Sequence, residues 1–279
     1  MAATPSSNRA AGTAPVLVLI HGATLNARMW DPVRPHLDPL YGVVCPDLPG
    51  HGARRAEHFT LQGAVASVVA AVESIAPAPF ILVGDSLGSC TAMASASALP
   101  HERLKGLVLS GATFNMTGMV AVPATLMGVF FGALTTLFGE QRIIEQRMPN
   151  LLGPGRFNLQ PADVRAIISA GMSIKVFGQA VRALRGVDFR AKLAAISQPT
   201  LIMNGDLDKP NVRGEASFLA AAQHATSFRF AHCEHGVSLF RPREFAQQVN
   251  AFAQRVFAAS AEAGVMLAAS PGPRPTPLP

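Results

Sequence analysis

Charged residues are scarce in this 279-residue chain. Asp, Glu, Lys and Arg make up 14% of it, against 49% hydrophobic residues. That balance excludes disorder over most of the length and allows a large buried core, as one α/β domain with an insertion or as two small domains. Cysteine is scarcer still. Cys45, Cys90 and Cys233 are widely separated and include no Cys-x-x-Cys pair, which argues against a disulfide framework and a zinc site and for free thiols in a reducing compartment. No N-terminal secretory signal is visible either. Residues 1–15 are rich in Ala, Ser, Thr and Pro, and the nearby run VLVLI is too short for a signal's apolar segment. The expectation is a cytoplasmic protein with residues 1–15 disordered.

Acidic residues are absent between Glu102 and Glu140, and the net charge of +6 is uneven. Residues 1–139 hold 7 basic and 7 acidic side chains, residues 140–192 hold 9 and 4, and residues 193–279 hold 7 and 6. The excess in 140–192 lacks the interleaved aromatics or reading motif of a nucleic-acid binder, so nucleic acid is not an expected partner. Residues 119–138, MVAVPATLMGVFFGALTTLF, carry no charge and are long enough for a membrane span. Pro123, two glycines and three threonines within the run, and strand-rich sequence on both sides, favour an apolar helix over a cavity instead.

What is present is a rhythm of short apolar runs: VLVLI (16–20), YGVVC (41–45), FILV (80–83), LKGLVLS (104–110), TLIMN (200–204) and SFRF (227–230). Between most of them lie stretches with apolar residues at helical spacing, such as 61–76, 86–99 and 245–257. Strand then helix, repeated, predicts a mostly parallel sheet with helices on both faces. The rhythm breaks between LVLS and TLIMN, where residues 112–192 read as helices alone, an inserted cap on a core of 16–111 and 193–259. The proline-rich end predicts a disordered tail over 260–279.

FILVGDSLGSC (80–90) places Gly-Asp-Ser-Leu-Gly between a buried strand and a helix. A nucleophile needs that context if its hydroxyl is to stand out at a strained turn facing a helix N-terminus. The string also spells the name of the GDSL esterases, whose motif lies near the N-terminus and whose base sits in a late Asp-x-x-His. No Asp-x-x-His exists here, so that spelling is a coincidence. Three further segments accompany the turn: His21-Gly22-Ala23 after the first run, CPDLPGHG (45–52) after the second, and GDLD (205–208) after TLIMN with EHGVSLFRPREF (234–245) closing the set.

Together these motifs resemble the α/β-hydrolase superfamily from about residue 16 to residue 257. The resemblance implies Ser86 as nucleophile, His235 as general base, Asp208 as the acid that holds the imidazole, and the N–H groups of Ala23 and Leu87 as the oxyanion hole. It implies no metal and no organic cofactor. Asp206 and Glu234 are rivals for the acid role, and His232 for the base. His21, His51 and Asp47 read as loop-organising residues, and Cys90 and Cys233 as packing residues. Two departures stand out. With fifteen residues before VLVLI, the first two strands of the usual sheet are expected to be absent or vestigial, and Asp85 puts a carboxylate before the nucleophile, where it would raise the pKa of His235.

The implied activity is a serine hydrolase cleaving a carboxylic ester, thioester or lactone through an acyl-enzyme. The same fold hosts cofactor-free haloperoxidases or perhydrolases, C–C bond hydrolases and ligand receptors with little turnover. Met127, Phe130 and Phe131 in the apolar run would contact a small hydrophobic substrate, or would equally serve to pack the cap onto the core. Arg142, Arg147, Arg156, Arg165, Lys175, Arg182 and Arg185 would attract an anionic group or surface, or form a solvated face.

Overall fold

A computed structural model describes residues 14–153, 157 and 159–269. Arg156, residues 1–13 and residues 270–279 lie outside the described residues. Each apolar run forms a strand: β1 (Val16–Ile20), β2 (Gly42–Val44), β3 (Phe80–Asp85), β4 (Leu104–Ser110), β5 (Thr200–Gly205) and β6 (Ala225–Phe230). They make one sheet in the order β2-β1-β3-β4-β5-β6, in which every neighbouring pair is parallel. Strands β1, β3 and β5 are buried at every residue, because a central parallel strand has helices over both its faces. Edge strands β2 and β6 keep exposed positions.

Side chains alternate between the two faces of each strand. Leu17, Leu19, Ile81, Val83, Leu201 and Met203 join one core with Trp30, Phe245 and Val249. Val16, Val18, Phe80, Leu82 and Ile202 join the other with Val68, Met93 and Phe218. The helices α1 (Leu61–Ser74) and α2 (Leu87–Ser95) follow β2 and β3. Thr60 caps α1, its Oγ1 accepting the Gly63 N–H at 3.0 Å.

Among the described residues, the elements between β4 and β5 are helical, chiefly α3 (Val122–Phe138), α4 (Glu140–Leu152), α5 (Pro161–Ser169), α6 (Val176–Leu184) and α7 (Phe189–Ala194). The chargeless run becomes the 17-residue α3, which meets α4 at a 114° bend, and no single helix among the described residues is long and apolar enough to cross a membrane. Hydrogen bonds that tie this insertion to loops of the core include Ser173 N–H to Thr24 O at 3.0 Å, Gly52 N–H to Gly171 O at 3.0 Å, Asn26 Nδ2–H to Ile167 O at 2.8 Å and Phe59 N–H to Gln179 Oε1 at 2.7 Å. Helices α8 (Lys209–Ala221), α9 (Val237–Phe240) and α10 (Pro242–Ala269) complete the chain. The boundary expected at 260 is corrected here, since α10 continues to Ala269. Its last turns are Ala-rich and meet no proline before Pro271.

From β1 the chain moves outward to β2, and from β3 it moves the opposite way to β4, so the strand order reverses between β1 and β3. A crevice opens at such a point beyond the carboxyl ends of the strands. The crevice stays narrow because α2 lies against β1 without a side chain between them. A Cβ on Gly88 would lie 2.0 Å from the Ile20 carbonyl oxygen, and one on Gly84 would lie 2.4 Å from the Ser89 nitrogen. Both obstacles are backbone and cannot swing aside. Gly88→Ala is therefore expected to destabilise the fold by more than about 3 kcal/mol in urea titration. A loss under about 1 kcal/mol would contradict this account of the contact.

Candidate active site

The end of β3 aims its next residue into the crevice. Ser86 has φ 54° and ψ −111°, a strained conformation for a side chain with a Cβ, and strain of this kind gathers at functional turns. The surroundings hold it in place. Ser86 N–H donates to Ser110 O at 2.7 Å, and Ser89 Oγ both donates to Ser110 O and accepts the Ser110 N–H at 2.9 Å. The end of β4 is thereby fastened to the turn.

Asp208 stands at the start of α8 after β5, and His235 lies in the turn after β6. Asp208 Oδ2 accepts from His235 Nδ1 at 2.7 Å, and His235 Nε2 lies 2.9 Å from Ser86 Oγ. With its proton on Nδ1, the imidazole presents Nε2 as acceptor for the serine hydroxyl. Asp206, the rival acid, is turned away and its Oδ1 accepts the Cys233 N–H at 3.1 Å. His232 sits exposed at φ 54°. Gly111, with φ +60°, lies under the imidazole, and a Cβ there would meet His235 Cε1 at 2.9 Å.

Burial opposes the positive charge on His235, but the hydrogen bond to Asp208 and then the charges of Asp208 and Asp85 prevail and raise its pKa. Half of its side-chain surface still opens to the cavity, so the ring is enclosed by protein yet reachable. Burial likewise opposes charge on Asp208, and the His235 and Asn211 hydrogen bonds outweigh it and lower its pKa. Asp85 is fully buried, and burial raises its pKa against the pull of His235 and of the Ser238 hydroxyl that donates to its Oδ2.

Behind Asp208 runs a buried polar chain that the sequence reading missed. Asn211 Nδ2–H donates to Asp208 Oδ2 at 2.8 Å, and Asn211 Oδ1 accepts the Thr113 N–H at 2.7 Å. Asn204 Nδ2–H then donates to Thr113 Oγ1 at 3.0 Å and to Glu215 Oε2 at 2.7 Å, and Arg229 pairs with Glu215 at 3.0 Å. The one local signal was the Asp-x-x-Asn spacing of Asp208 and Asn211, which share a helix face.

The loop after β1 is built as expected of His21, His51 and Asp47. His21 Nε2 accepts the Leu48 N–H at 3.0 Å and His51 Nε2 accepts the Thr24 N–H at 3.2 Å. Burial holds the pKa of His21 down to about 4 and that of His51 to about 3, so both stay neutral acceptors. Asp47 takes the Ala27 and Ala53 N–H groups, both at 2.9 Å. Ala23 thereby sits on the rim beside Ser86. Neither its N–H nor that of Leu87 has a protein acceptor among the described residues. The cysteines are free, and burial pushes Cys90 up to about 12 and Cys233 to about 11, leaving both as thiols at neutral pH.

Ser86 and His235 open onto a cavity of about 700 Å3 walled mainly by apolar side chains, among them Phe131, Leu134, Met148, Phe177 and Leu239. Phe131 meets Phe177 edge-on at 5.5 Å between ring centres. Of the three residues expected to touch substrate, only Phe131 lines this cavity. Phe130 is exposed on the outer face of α3, about 100° round the helix from Phe131, whereas Met127, one turn before Phe131 on the same side, is half exposed and outside the cavity lining. Among the described residues, no group of three or more His, Cys, Asp or Glu side chains is arranged to hold a metal ion.

Residues 17–248 match the model of the alpha/beta hydrolase family. The chain belongs to that family. It is 29% identical over 241 residues to the pimeloyl-(acyl-carrier protein) methyl ester esterase of Serratia marcescens, covering 85% of this chain and 92% of the relative. It is 30% identical over 246 residues to the biotin biosynthesis bifunctional protein BioHC of Cellvibrio japonicus, covering 86% of this chain and 48% of that protein. This hydrolase thus spans about half the length of the bifunctional relative. A bromoperoxidase from Bacillus anthracis superposes with TM-score 0.72 at 22% identity, covering 87% of this chain and 93% of that one. A thermophilic esterase from Thermogutta terrifontis does so with TM-score 0.67 at 20% identity, covering 88% and 91%. At these identities the structural likeness concerns the fold alone.

The electrostatics of His235 can be measured without any assay of turnover. In an NMR titration of the imidazole, Asp85→Asn is expected to lower the His235 pKa, since it removes a negative charge that favours the protonated ring. Asp208→Asn is expected to lower it further, because it removes both a charge and the charged hydrogen-bond partner. A larger fall in Asp85→Asn than in Asp208→Asn would show that this ranking is wrong.

Proposed function

We propose that this chain is a serine hydrolase that cleaves a carboxylic ester with a hydrophobic acyl or alcohol portion. The observation that carries the reading is the line Asp208, His235, Ser86, with contacts of 2.7 and 2.9 Å, ending at the floor of an apolar cavity. Ser86 Oγ attacks the ester carbonyl while His235 Nε2 takes its proton, and Asp208 stabilises the imidazolium that forms. The N–H groups of Ala23 and Leu87 receive the oxyanion. Collapse of the tetrahedral adduct breaks the bond to the alkoxy group, which leaves with the proton from His235. Water then attacks the acyl-enzyme, giving its proton to His235 and releasing the acid and Ser86. Only the chain's own groups and water take part.

Two considerations favour an ester of this kind. Curated relatives of similar length are named for hydrolysis of a methyl ester, and the cavity size suits a small molecule held by apolar contacts with few polar ones. In this reading residues 112–192 form a cap, and Phe131 and Leu134 of α3 grip the hydrophobic portion of the substrate. A reducing cytoplasm, expected from the three unpaired cysteines, fits an enzyme that has no disulfide to protect.

Ser86→Ala and His235→Ala are each expected to lower kcat by about four to six orders of magnitude, and the double variant to be little worse, because the residues act as a unit. Asp208→Asn should remove most activity and Asp206→Asn little. Turnover above about a tenth of wild type in Ser86→Ala would exclude Ser86 as nucleophile.

On a panel of p-nitrophenyl esters, kcat/KM is expected to rise from acetyl to medium chain length. Phe131→Ala should flatten that slope, whereas Phe130→Ala, on the outer face of α3, should leave it in place. A slope that depends on Phe130 and not Phe131 would remove the cavity from the account of specificity.

A further inference from the structure

Helix α3 is apolar on both sides, and only one side is accounted for by packing. Its inner side abuts α6, where a Cβ on Gly128 would come within 3.0 Å of the Gly178 Cα, and it sends Phe131 and Leu134 into the cavity wall. The outer side carries Val122, Leu126, Val129, Phe130 and Leu137, which at about 100° per residue fall within roughly a third of the helix circumference and so share a face. Leu126 is 63% exposed, Phe130 59% and Leu137 76%. Over 17 residues, about 25 Å of helix, there is no charged side chain. The hydroxyls of Thr125, Thr135 and Thr136 each donate to a carbonyl of the helix itself or of the turn before it. The face therefore offers large apolar groups with no polar side chain left to anchor a partner. A contiguous apolar patch of this kind marks an interaction surface.

The charges around it have one dominant sign. Arg142 follows the bend into α4, and the Arg182 guanidinium reaches beside Gly178 at the α3–α6 crossing. Both are exposed and neither has an ion-pair partner among the described residues. Glu140, at the bend, is turned inward, where its Oε1 accepts from Ser173 Oγ and from the N–H groups of Ile174 and Lys175. Glu145 is the exposed carboxylate of α4. A two-fold contact of α3 on α3 would bring no carboxylate from that helix to the arginines, since α3 carries no charge. A protein interface of ordinary composition would want hydrogen-bonding groups that this face lacks.

We infer that the outer face of α3, with Arg142 just past the helix's C-terminal end and Arg182 at its crossing with α6, docks this chain onto an anionic lipid surface. The helix lies along the interface with Leu126, Phe130 and Leu137 among the acyl chains and the guanidinium groups at the headgroups. The helix that meets lipid is then the one whose other side walls the cavity. Docking stands independently of the hydrolytic reading, since it requires neither Ser86 nor turnover.

The test is co-sedimentation of the full chain with phosphatidylcholine vesicles and with vesicles that also contain phosphatidylglycerol, at low and high salt. Wild type is expected to partition onto the anionic vesicles at least about tenfold more than onto the neutral ones, and salt should reduce the difference. The variant L126Q/F130Q/L137Q should lose at least about tenfold in partitioning with an unchanged Tm, because the three side chains are exposed. R142Q/R182Q should lose the preference for phosphatidylglycerol. The proposal is overturned if wild type ignores both vesicles, which would leave the face to a protein partner, or if the glutamine variant binds as wild type does. A dimer in analytical ultracentrifugation that the glutamine variant dissociates would also overturn it, by giving the face to a second copy. Should the glutamine variant fail to fold, the lipid and salt dependence of wild type alone decides.

Discussion

Between the carbonyl of Ile20 and the first turn of α2 there is no room for a methyl group, and much of the site is arranged around that contact. It brings the carboxyl ends of β1 and β3 together at the reversal of strand order. It also sets the turn that holds Ser86 at positive φ and leaves the loop bearing Ala23 on the same rim. A strained residue persists only where its surroundings over-determine it. Here Ser110 does so with both its backbone groups, which are committed to the turn through Ser86 and Ser89.

The electrostatic arrangement follows the same logic. Two carboxylates lie near one imidazole, but their surroundings push them apart: Asp208 has hydrogen bonds to spare for its charge, whereas Asp85 is enclosed and has its pKa raised. Groups whose environments drive their pKa values in opposite directions take different roles. The polar chain from Asp208 through Asn211, Thr113, Asn204 and Glu215 ends at Arg229, so a buried carboxylate is connected by hydrogen bonds to a charge of opposite sign at the surface. Asn204 Oδ1 has no hydrogen-bond partner among the described residues, but the other bonds of the chain fix geometry as well as charge.

Most strands were legible in the sequence as short apolar runs bounded by Gly, Pro or Asp; Ser86 was legible because it directly follows one, whereas Asp208 and His235, three and five residues beyond strand ends, were read from segments that resemble the family's. Other parts were not. Asn204, Thr113 and Glu215 come from three different elements and meet only in the fold, so no local spacing announces them. Phe130 and Phe131 could not be told apart because α3 is apolar all round, and without a polar face a helix has no readable phase. Composition misled at the C-terminus, where the prolines of 271–279 drew attention from the alanine-rich residues before them, which extend α10 to Ala269.

The hydrogen bonds that stitch the insertion to the core give it a mechanical status different from that of a free flap. Two of them, from Ser173 to Thr24 and from Asn26 to Ile167, end on the segment just beyond Ala23. Lifting the insertion breaks them and loosens the segment that presents the Ala23 N–H. Whatever seats the insertion, a well-fitting chain in the cavity or a surface beneath α3, therefore shares free energy with whatever needs that N–H in place. Linkage of this kind runs equally in both directions. Occupancy of the cavity and the set of the loop are then one equilibrium, read at two ends of the same few hydrogen bonds.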